Sequence, residues 1–261
     1  MNEKSVDYYN EQTENFIRDY LKGNKRVETA IKYAIDSISN NCQHILDIGC
    51  GIGWTSHEIS RHFPDAYVKA IDLSSESIKV AKEIFFTENI KFAVDDITRK
   101  DFKSKYLFDA ILMIDVFEHI PSKKRKIFYK NIKNMLNNNG KIILTCPTVR
   151  HQNWLKANNP DGLQPVDEDI DINILNKFAQ VISAKIFDFK EVSIWNKNDY
   201  FHSIISRDNH KKHSNKIPHL ESYNSRKNRI KETKFKYVSS KIKKEKIIAK
   251  IKYYIKKVIP K

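Results

Sequence analysis

The chain has 261 residues, of which 40% are hydrophobic and 30% are charged, so it can form a folded core and is not wholly disordered. Its apolar runs are far shorter than the roughly 20 residues that cross a bilayer, and the first residues lack a stretch typical of a signal peptide. Three cysteines, Cys42, Cys50 and Cys146, lack the spacing of a disulfide framework or a zinc site. These features predict a cytoplasmic protein.

The net charge of +15 is concentrated at the C-terminal end of the chain. Residues 207–261 contain 19 Lys and Arg against four acids, whereas residues 1–206 contain 28 basic and 28 acidic residues. A neutral body joined to a strongly basic segment predicts a binding or catalytic domain with an electrostatic attachment device.

Hydrophobic periodicity predicts the following elements in chain order. Residues 1–40 form a helical cap with a break at Gly23-Asn24. Strand and helix signals then alternate, with strands at 44–48, 67–71, 90–94, 108–114 and 141–145, and helices at about 54–63, 75–86 and 122–136. This alternation is typical of an α/β, doubly wound sheet.

The second half of the chain carries less regular signals. Residues 149–171 contain Pro160, Gly162 and Pro165 and are interpreted as an irregular lid or substrate loop. A helix at 172–184 and two strand-like runs at 187–195 and 200–206 follow, the latter two predicting an antiparallel hairpin. We therefore expect a domain over 41–206 and a basic extension over 207–261.

A glycine loop follows the first predicted strand, with the sequence Asp47-Ile-Gly49-Cys50-Gly51-Ile-Gly53-Trp54. Glycines permit a tight turn and a close approach of the backbone to a ligand at a helix N-terminus. Trp54 occupies the third glycine position of the dinucleotide fingerprint, and no Gly-Lys-Ser/Thr of a P-loop follows. A carboxylate at position 47 suits a cationic amino group better than a pyrophosphate.

Acidic residues also follow the next two strands. Asp72 ends the second strand, where its carboxylate can accept both ribose hydroxyls of an adenosine, and Asp96 follows the third strand, where it can accept the adenine amine. Each acid alone is equally well explained as a solvated loop residue or a helix cap. Asp47, Asp72 and Asp96 together, at the ends of three successive strands, favour a ligand site.

The chain from about residue 40 to 206 resembles the class I S-adenosylmethionine-dependent methyltransferases, including the ubiquinone-biosynthesis type and related small-molecule O-methyltransferases. The resemblance is carried by the glycine loop, by the fourth-strand run from Phe108 to Pro121 and by the fifth-strand run from Gly140 to Pro147. It implies a Rossmann-like, seven-stranded sheet that ends in a reversed strand, here followed by a basic helical C-terminal extension.

The resemblance also implies the residues that bind S-adenosylmethionine. They are expected at the glycine loop and at the ends of the second, third and fourth strands: Asp47, Gly49, Cys50, Gly51, Gly53, Asp72, Leu73, Asp96, Ile97 and Asp115. The pair Tyr8-Tyr9 resembles an N-terminal aromatic segment that closes over the cofactor in this family, although packing explains at least one of the two tyrosines.

Methyl transfer to a hydroxyl needs alignment and a base, and His119, with Glu118 beside it, is the candidate because it follows the fourth strand. Capping or packing is an equally good explanation of both residues. Asp115, Glu118 and His119 also resemble a run that can hold a divalent cation in the ubiquinone-biosynthesis enzymes, but the shorter Asp disfavours a metal here. We predict an oxygen acceptor on a small molecule, glycan or lipid, with amides and acids of 158–168 available to bind hydroxyls.

The end of the basic extension predicts an amphipathic helix from Ile247, with an apolar stripe and a lysine-rich remainder, as expected at an anionic membrane surface. Alternatively, this helix docks on the body of the protein or on a partner. A further alternative is that the first half of the extension binds RNA, but the zero net charge of residues 1–206 disfavours this. A non-enzymatic binding module of the same fold also stays open, although the intact glycine loop favours an enzyme.

Overall fold

In the computed structural model, residues 3–208 and 217–232 are described, and they contain one seven-stranded sheet. The strand order is β3-β2-β1-β4-β5-β7-β6. The strands are β1 (His44–Ile48), β2 (Tyr67–Asp72), β3 (Ile90–Val94), β4 (Phe108–Ile114), β5 (Leu136–Pro147), β6 (Lys185–Val192) and β7 (Tyr200–Ser206). Strands β1 to β5 pair in parallel, and β7 is antiparallel to both β5 and β6. The predicted doubly wound α/β fold and its terminal hairpin are confirmed.

Helices cover both faces of the sheet because successive residues of a buried strand point to opposite sides. Ile45 of β1 belongs to one apolar cluster, together with side chains of α2, α3 and α4, and Leu46 belongs to a second cluster with α5 and α7. The helices are α1 (Glu3–Lys22), α2 (Lys25–Ser37), α3 (Trp54–His62), α4 (Ser75–Ile84), α5 (Ser122–Met135), α6 (Val149–Asn158), α7 (Ile172–Val181) and α8 (Tyr223–Glu232).

The registers bring the ends of four strands to one edge. Ile48 pairs with Ile71 on one side and with Met113 on the other, and Asp72 pairs with Val94. Chain order reverses between β1 and β4, and open α/β sheets bind ligands at such a point, outside the carboxyl ends of the strands. The glycine loop and the acids that follow β2, β3 and β4 therefore meet at one edge.

Several predicted boundaries differ from the structure by a few residues, among them the end of α7 at Val181 and the start of β6 at Lys185. Residues 149–171 are not wholly irregular, because Thr148 caps a helix, its hydroxyl accepting from the His151 backbone at 3.3 Å, and no proline or glycine interrupts α6 before Pro160. Strand β5 starts at Leu136 rather than at Lys141, and the Asn137 amide bonds to Asp109 at 2.7 Å. Helix α4 ends at Ile84 rather than near residue 86, and its N-cap is Ser74, whose hydroxyl accepts from the Ser77 amide.

Part of the basic extension packs on the body. Residues 217–232 include α8, which contacts α1, and the buried Arg226 pairs with Glu28 of α2. The amphipathic helix expected from Ile247 lies outside the described residues. Within 3–208 and 217–232, no helix is both long and apolar enough to cross a membrane.

Candidate active site

A cleft lies at the carboxyl ends of β1 to β4, under α1. The lining includes most of the residues predicted to bind the cofactor, namely Gly49, Cys50, Gly51, Asp72, Leu73, Asp96, Ile97 and Asp115, together with the candidate base His119. Asp47, Gly53 and Glu118 do not line it. The structure therefore brings nine of the twelve predicted site residues to the cleft wall and places the other three behind it.

The glycine loop is tied to the end of β2 by backbone hydrogen bonds. The amides of Gly49 and Cys50 both donate to the Ile71 carbonyl, at 2.8 and 3.1 Å. The Gly51 amide donates to Oδ2 of Asp72 at 2.8 Å. The loop and the Asp72 carboxylate thus form one unit, so a ligand that contacts the carboxylate also lies against the loop.

Two glycines of this loop have different surroundings. Gly53 has φ +88°, and a Cβ there would lie 2.7 Å from the Phe92 ring, so only glycine lets α3 start this close to the sheet. Gly51 has φ +52°, and a Cβ would lie 3.7 Å from Phe16 with no collision. A side chain at position 51 would therefore enter the space between the loop and α1, which is part of the cleft.

Asp47 lies behind the glycine loop, against α3, and does not line the cleft. Its side chain is 1% exposed, and Oδ2 accepts the Ser56 hydroxyl of α3 at 2.6 Å. Burial, opposed by the Ser56 hydrogen bond and reinforced by the charge of Asp72, raises the pKa of Asp47 to about 7. Asp47 therefore links β1 to the first turn of α3, and its contact with a cationic amino group stays a prediction.

Asp72 has the geometry of a hydrogen-bond acceptor for hydroxyls. Its Oδ1 accepts the Ser74 amide at 2.8 Å, and its Oδ2 accepts the Gly51 amide. Burial raises the pKa of Asp72, although the backbone amides of Ser74, Gly51 and Leu73 oppose this effect. An ionised carboxylate has about four acceptor positions, so hydroxyls of a ligand can still be bound after these amides are counted.

Asp96 and Ile97 form the far wall of the cleft. Oδ1 of Asp96 accepts both the amide and the hydroxyl of Thr98, at 2.8 and 2.7 Å, which fixes the carboxylate after β3. Ile97 is buried beside it and lines the same wall. An apolar side chain beside an acceptor suits a flat heterocycle that carries an amino group.

The opposite end of the cleft is polar and contains a strained residue. Asp115, directly after β4, has φ +53°, a conformation that costs a non-glycine residue of the order of 1–3 kcal/mol. Its carboxylate forms an ion pair with Arg26 of α2 and accepts the Thr145 hydroxyl at 3.3 Å. Arg26 also lies 5.9 Å from the Tyr200 ring centroid, so the helical cap contributes a guanidinium to this end.

His119 is oriented by the loop that follows α6. Its Nδ1 lies 2.7 Å from the Val166 carbonyl oxygen, which only accepts, and 3.1 Å from Oδ1 of Asp167. This contact requires the proton on Nδ1 and leaves Nε2 as the basic atom when the ring is neutral. Burial lowers the pKa of His119, but the carboxylates of Glu118 and Asp167 outweigh burial and raise it above the usual value.

Glu118 lies beside His119 and does not line the cleft. It is 1% exposed, it accepts the Cys146 thiol at 3.2 Å, and its Oε1 lies 3.7 Å from Nε2 of His119. Burial raises the pKa of Glu118. Asp115 turns instead toward Arg26, and within 3–208 and 217–232 no group of three His, Cys, Asp or Glu side chains could hold a metal ion.

Several cleft residues were not predicted from the sequence. Arg26, Phe16 and Gln164 line the cleft but come from the cap and from the loop at 158–168. Tyr9 lines it as well, in agreement with the weak aromatic signal at Tyr8-Tyr9. For Gln164 the signal was the amide-rich composition of its loop, whereas a lone arginine on a helix gives no such signal.

The cleft fits S-adenosylmethionine on the chemistry of its donors and acceptors. The buried indole Nε1 of Trp54 has no hydrogen-bond partner among the described residues, and Trp54 lines the cleft at the glycine loop. An unpartnered buried donor is costly unless a ligand supplies an acceptor, and a carboxylate is a suitable one. With Asp72 for hydroxyls and Asp96 for an amine, this end of the cleft matches an amino-acid nucleoside.

Residues 45–140 match the methyltransferase domain family, and the fold and the cleft agree with this match. The resemblance to the class I S-adenosylmethionine-dependent methyltransferases is thereby confirmed. The chain is 32% identical over 117 residues to a ubiquinone biosynthesis O-methyltransferase of Coxiella burnetii, an alignment that covers 44% of this chain and 48% of that protein.

A second sequence relative and a solved structure are also similar to the chain. A malonyl-[acyl-carrier protein] O-methyltransferase of Halalkalibacterium halodurans is 31% identical over 104 residues, covering 39% of this chain and 38% of that protein. The chain thus spans less than half the length of these curated relatives. The solved structure of an N-methyltransferase, NodS of Bradyrhizobium japonicum with bound S-adenosylhomocysteine (SAH), has a TM-score of 0.59 at 13% identity, covering 78% of this chain and 98% of that one. The fold therefore accompanies both O- and N-methylation.

Proposed function

We propose that this protein transfers a methyl group from S-adenosylmethionine to an oxygen atom of a small acceptor. The observation that carries the proposal is the joined unit of glycine loop and Asp72 at the sheet edge, with the Gly51 amide 2.8 Å from the carboxylate. When bound, S-adenosylmethionine supplies an electrophilic methyl group. The relatives from Coxiella burnetii and Halalkalibacterium halodurans are both named O-methyltransferases, and this supports oxygen as the acceptor atom.

The residues divide between the two ends of the cleft. Asp72 and Leu73 would hold the ribose, Asp96 and Ile97 the adenine, and the glycine loop with Trp54 the amino-acid end. Asp115 stays among the proposed cofactor contacts, and Arg26, His119 and Gln164 line the rest of the cleft, where the acceptor would bind. Asp115, which has a positive φ, pairs with Arg26, so two groups of opposite charge lie next to the acceptor site. This arrangement suits an acceptor with several polar substituents.

His119 is the group that would take the acceptor proton. An O–H nucleophile needs a base within hydrogen-bond reach, and such a base typically contributes about 10²–10⁴-fold to the rate. Because Nδ1 donates to Val166, Nε2 is the atom available for the proton. Glu118 and Asp167 raise the pKa of the ring and stabilise the imidazolium that proton transfer produces.

The test is titration calorimetry of SAH with the full chain and two variants. Asp72→Ala removes a charged acceptor, and hydrogen bonds to charged groups contribute about 1.5–3 kcal/mol, so the Kd should rise by roughly 10- to 100-fold. Gly51→Val puts a side chain into the cleft, so binding should be lost; because valine is strained at φ +52°, circular dichroism must first show that this variant is folded. Asp65→Ala, at an exposed position, is the matched control.

Binding of SAH by the full chain with unchanged Kd in both folded variants would refute the placement of the cofactor. Absence of SAH binding by the full chain would instead favour the non-enzymatic binding module. Mass spectrometry of products from a panel of quinone-like, glycan and lipid acceptors would then identify the acceptor class.

We also propose that the basic extension attaches the protein to an anionic membrane surface on the cytoplasmic side. The support is the charge of residues 207–261 and the apolar stripe expected from Ile247. Lysines near an anionic bilayer contribute about 1 kcal/mol each, and an apolar face adds burial that neither RNA nor a free glycan would use. Salt-dependent binding of RNA with no binding to vesicles would favour the RNA alternative.

A further inference from the structure

Residues 217–232 cross the ends of three helices that surround the cleft. Arg226 is 7% exposed, and its Nη1 lies 3.0 Å from Oε1 of Glu28 on α2. Its guanidinium also lies 5.2 Å from the indole of Trp54 and 5.9 Å from the ring of Tyr20. One side chain of this segment thus touches α2, the glycine-loop end of α3 and the last turn of α1.

Glu221 makes a second set of contacts in the same place. Its carboxylate accepts the Tyr20 hydroxyl at 2.7 Å and the Arg229 guanidinium at 2.6 Å, and its backbone amide donates to Glu58 of α3 at 2.9 Å. Burial alone would raise the pKa of Glu221, but hydrogen bonds from His57, Arg229 and Tyr20 hold it well below its usual range. The carboxylate is therefore ionised and fixed against α1 and α3.

Helix α1 is held at two separated points. Near its N-terminal half, Asn10 accepts the Ser74 hydroxyl at 2.8 Å and Thr13 bonds to Ser77 at 2.9 Å, both at the start of α4. Its C-terminal end is held through Tyr20, whose ring packs on Trp54 and Phe85 and whose hydroxyl donates to Glu221 of residues 217–232. Phe16 lies one turn before Tyr20, on the same helix face, and lines the cleft above Gly51.

We propose that residues 217–232 are a clasp that positions α1 over the cleft, with Arg226 and Glu221 as its positioning residues. The clasp rests on the proposed function, because its effect is exerted on the wall of the proposed cofactor site. The Arg226–Glu28 ion pair is half-buried, and such a pair contributes little net stability; in the clasp its effect is to favour one arrangement of the helices over others. Apparent affinity for a ligand falls in proportion to the fraction of molecules in the binding-competent arrangement.

The clasp predicts that a change at Arg226 alters ligand affinity at a site that Arg226 does not line. In Arg226→Ala the Kd for SAH should rise about tenfold, within the roughly 5- to 150-fold range usual for coupling between sites. Arg226→Lys keeps a cation near Glu28 and Trp54 and should recover most of the affinity. Lys231→Ala, which removes a cation from an exposed position of the same helix, should leave the Kd unchanged.

The experiment combines calorimetry of SAH with hydrogen exchange of α1 in the full chain. Faster exchange over residues 5–22 in Arg226→Ala without ligand, together with the weaker Kd, supports the clasp. A folded Arg226→Ala with wild-type exchange in α1 and wild-type Kd overturns it.

Two further outcomes are separable. If Arg226→Ala does not fold, Glu28→Gln removes the same ion pair more gently, and unchanged exchange in α1 for that variant overturns the clasp. If the full chain does not bind SAH, the proposed function fails, whereas the exchange measurement still decides whether residues 217–232 hold α1.

Discussion

Replacement of Asp47 by asparagine should stabilise the protein progressively as the pH rises. The carboxyl group is buried behind the glycine loop, with the Ser56 hydroxyl 2.6 Å from Oδ2. Asparagine has nearly the shape of the protonated acid, can still accept from Ser56, and does not ionise. The substitution therefore removes the cost of a buried negative charge and retains the link between β1 and α3.

The sign and the size of this stabilisation follow from the pKa of Asp47 in the folded protein and in the unfolded chain. Burial raises the pKa of Asp47 from 3.8 to about 7, so between these values the folded protein binds a proton that the unfolded chain has lost. Because the folded protein binds this extra proton, the free energy of unfolding of the wild type falls as the pH rises. This loss of stability is complete above about pH 7. At about 1.4 kcal/mol for each tenfold change in proton affinity, the full effect is about 4 kcal/mol.

The assay is urea unfolding of the wild type and Asp47→Asn at a series of values from pH 4 to pH 8. The difference in free energy of unfolding should grow with pH in favour of the variant, by up to about 4 kcal/mol. Asp65→Asn, the same change at an exposed turn, controls for the loss of a carboxylate in general. A difference that stays constant with pH, or one that favours the wild type at pH 8, would refute the assignment of Asp47 as a buried, destabilised acid.

The remaining predictions concern the base and the extension. His119→Ala should lower turnover by about 10²–10⁴-fold with little change in the Kd for SAH, and wild-type turnover should rise with pH through the raised pKa of His119. Glu118→Gln should move that pH profile to lower pH, because removal of the carboxylate lowers the pKa of the ring; an unmoved profile would contradict the coupling. A chain ending at Glu232 should bind SAH like the full chain but no longer sediment with anionic vesicles, whereas a chain ending at Ser206 should also bind SAH more weakly. Equal Kd values for both truncations, with each shown to be folded by circular dichroism, would contradict the clasp.

The sheet and the glycine loop were predictable because their signals are local. Strand β4 is a continuous apolar run from Phe108 to Ile114, and Asp72 directly follows the apolar end of β2. A parallel sheet buries such strands on both faces, so composition alone identifies them, and parallel pairing brings their ends to one edge. The placement of Asp72, Asp96 and Asp115 around one cleft follows from these local signals together.

Asp47 shows where the same reasoning stops. The motif identified the position but not the direction of the side chain, because residues 47 and 49 both belong to the loop pattern while only Gly49 lines the cleft. In a strand the side chains alternate between faces, so Asp47 points to the same face as Ile45, where the hydroxyl of Ser56 in α3, nine positions away, donates to it. Composition cannot distinguish an acid that binds a ligand from one that supports the ligand's loop.

The contacts between the cap and the basic extension could not be predicted from the sequence for a related reason. Arg226 and Glu28 are 198 positions apart, and a lysine- and arginine-rich segment normally indicates a solvated surface. Net charge describes the far field of such a segment and says nothing about the one or two cations that are desolvated against aromatic rings. The cations of residues 207–261 are thus of at least two kinds, because Arg226 lies buried over Trp54 whereas Lys231 is exposed. A charge count that treats them alike assigns the whole segment to attachment, although part of it packs on α1 and α2, the two helices whose side chains line the cleft.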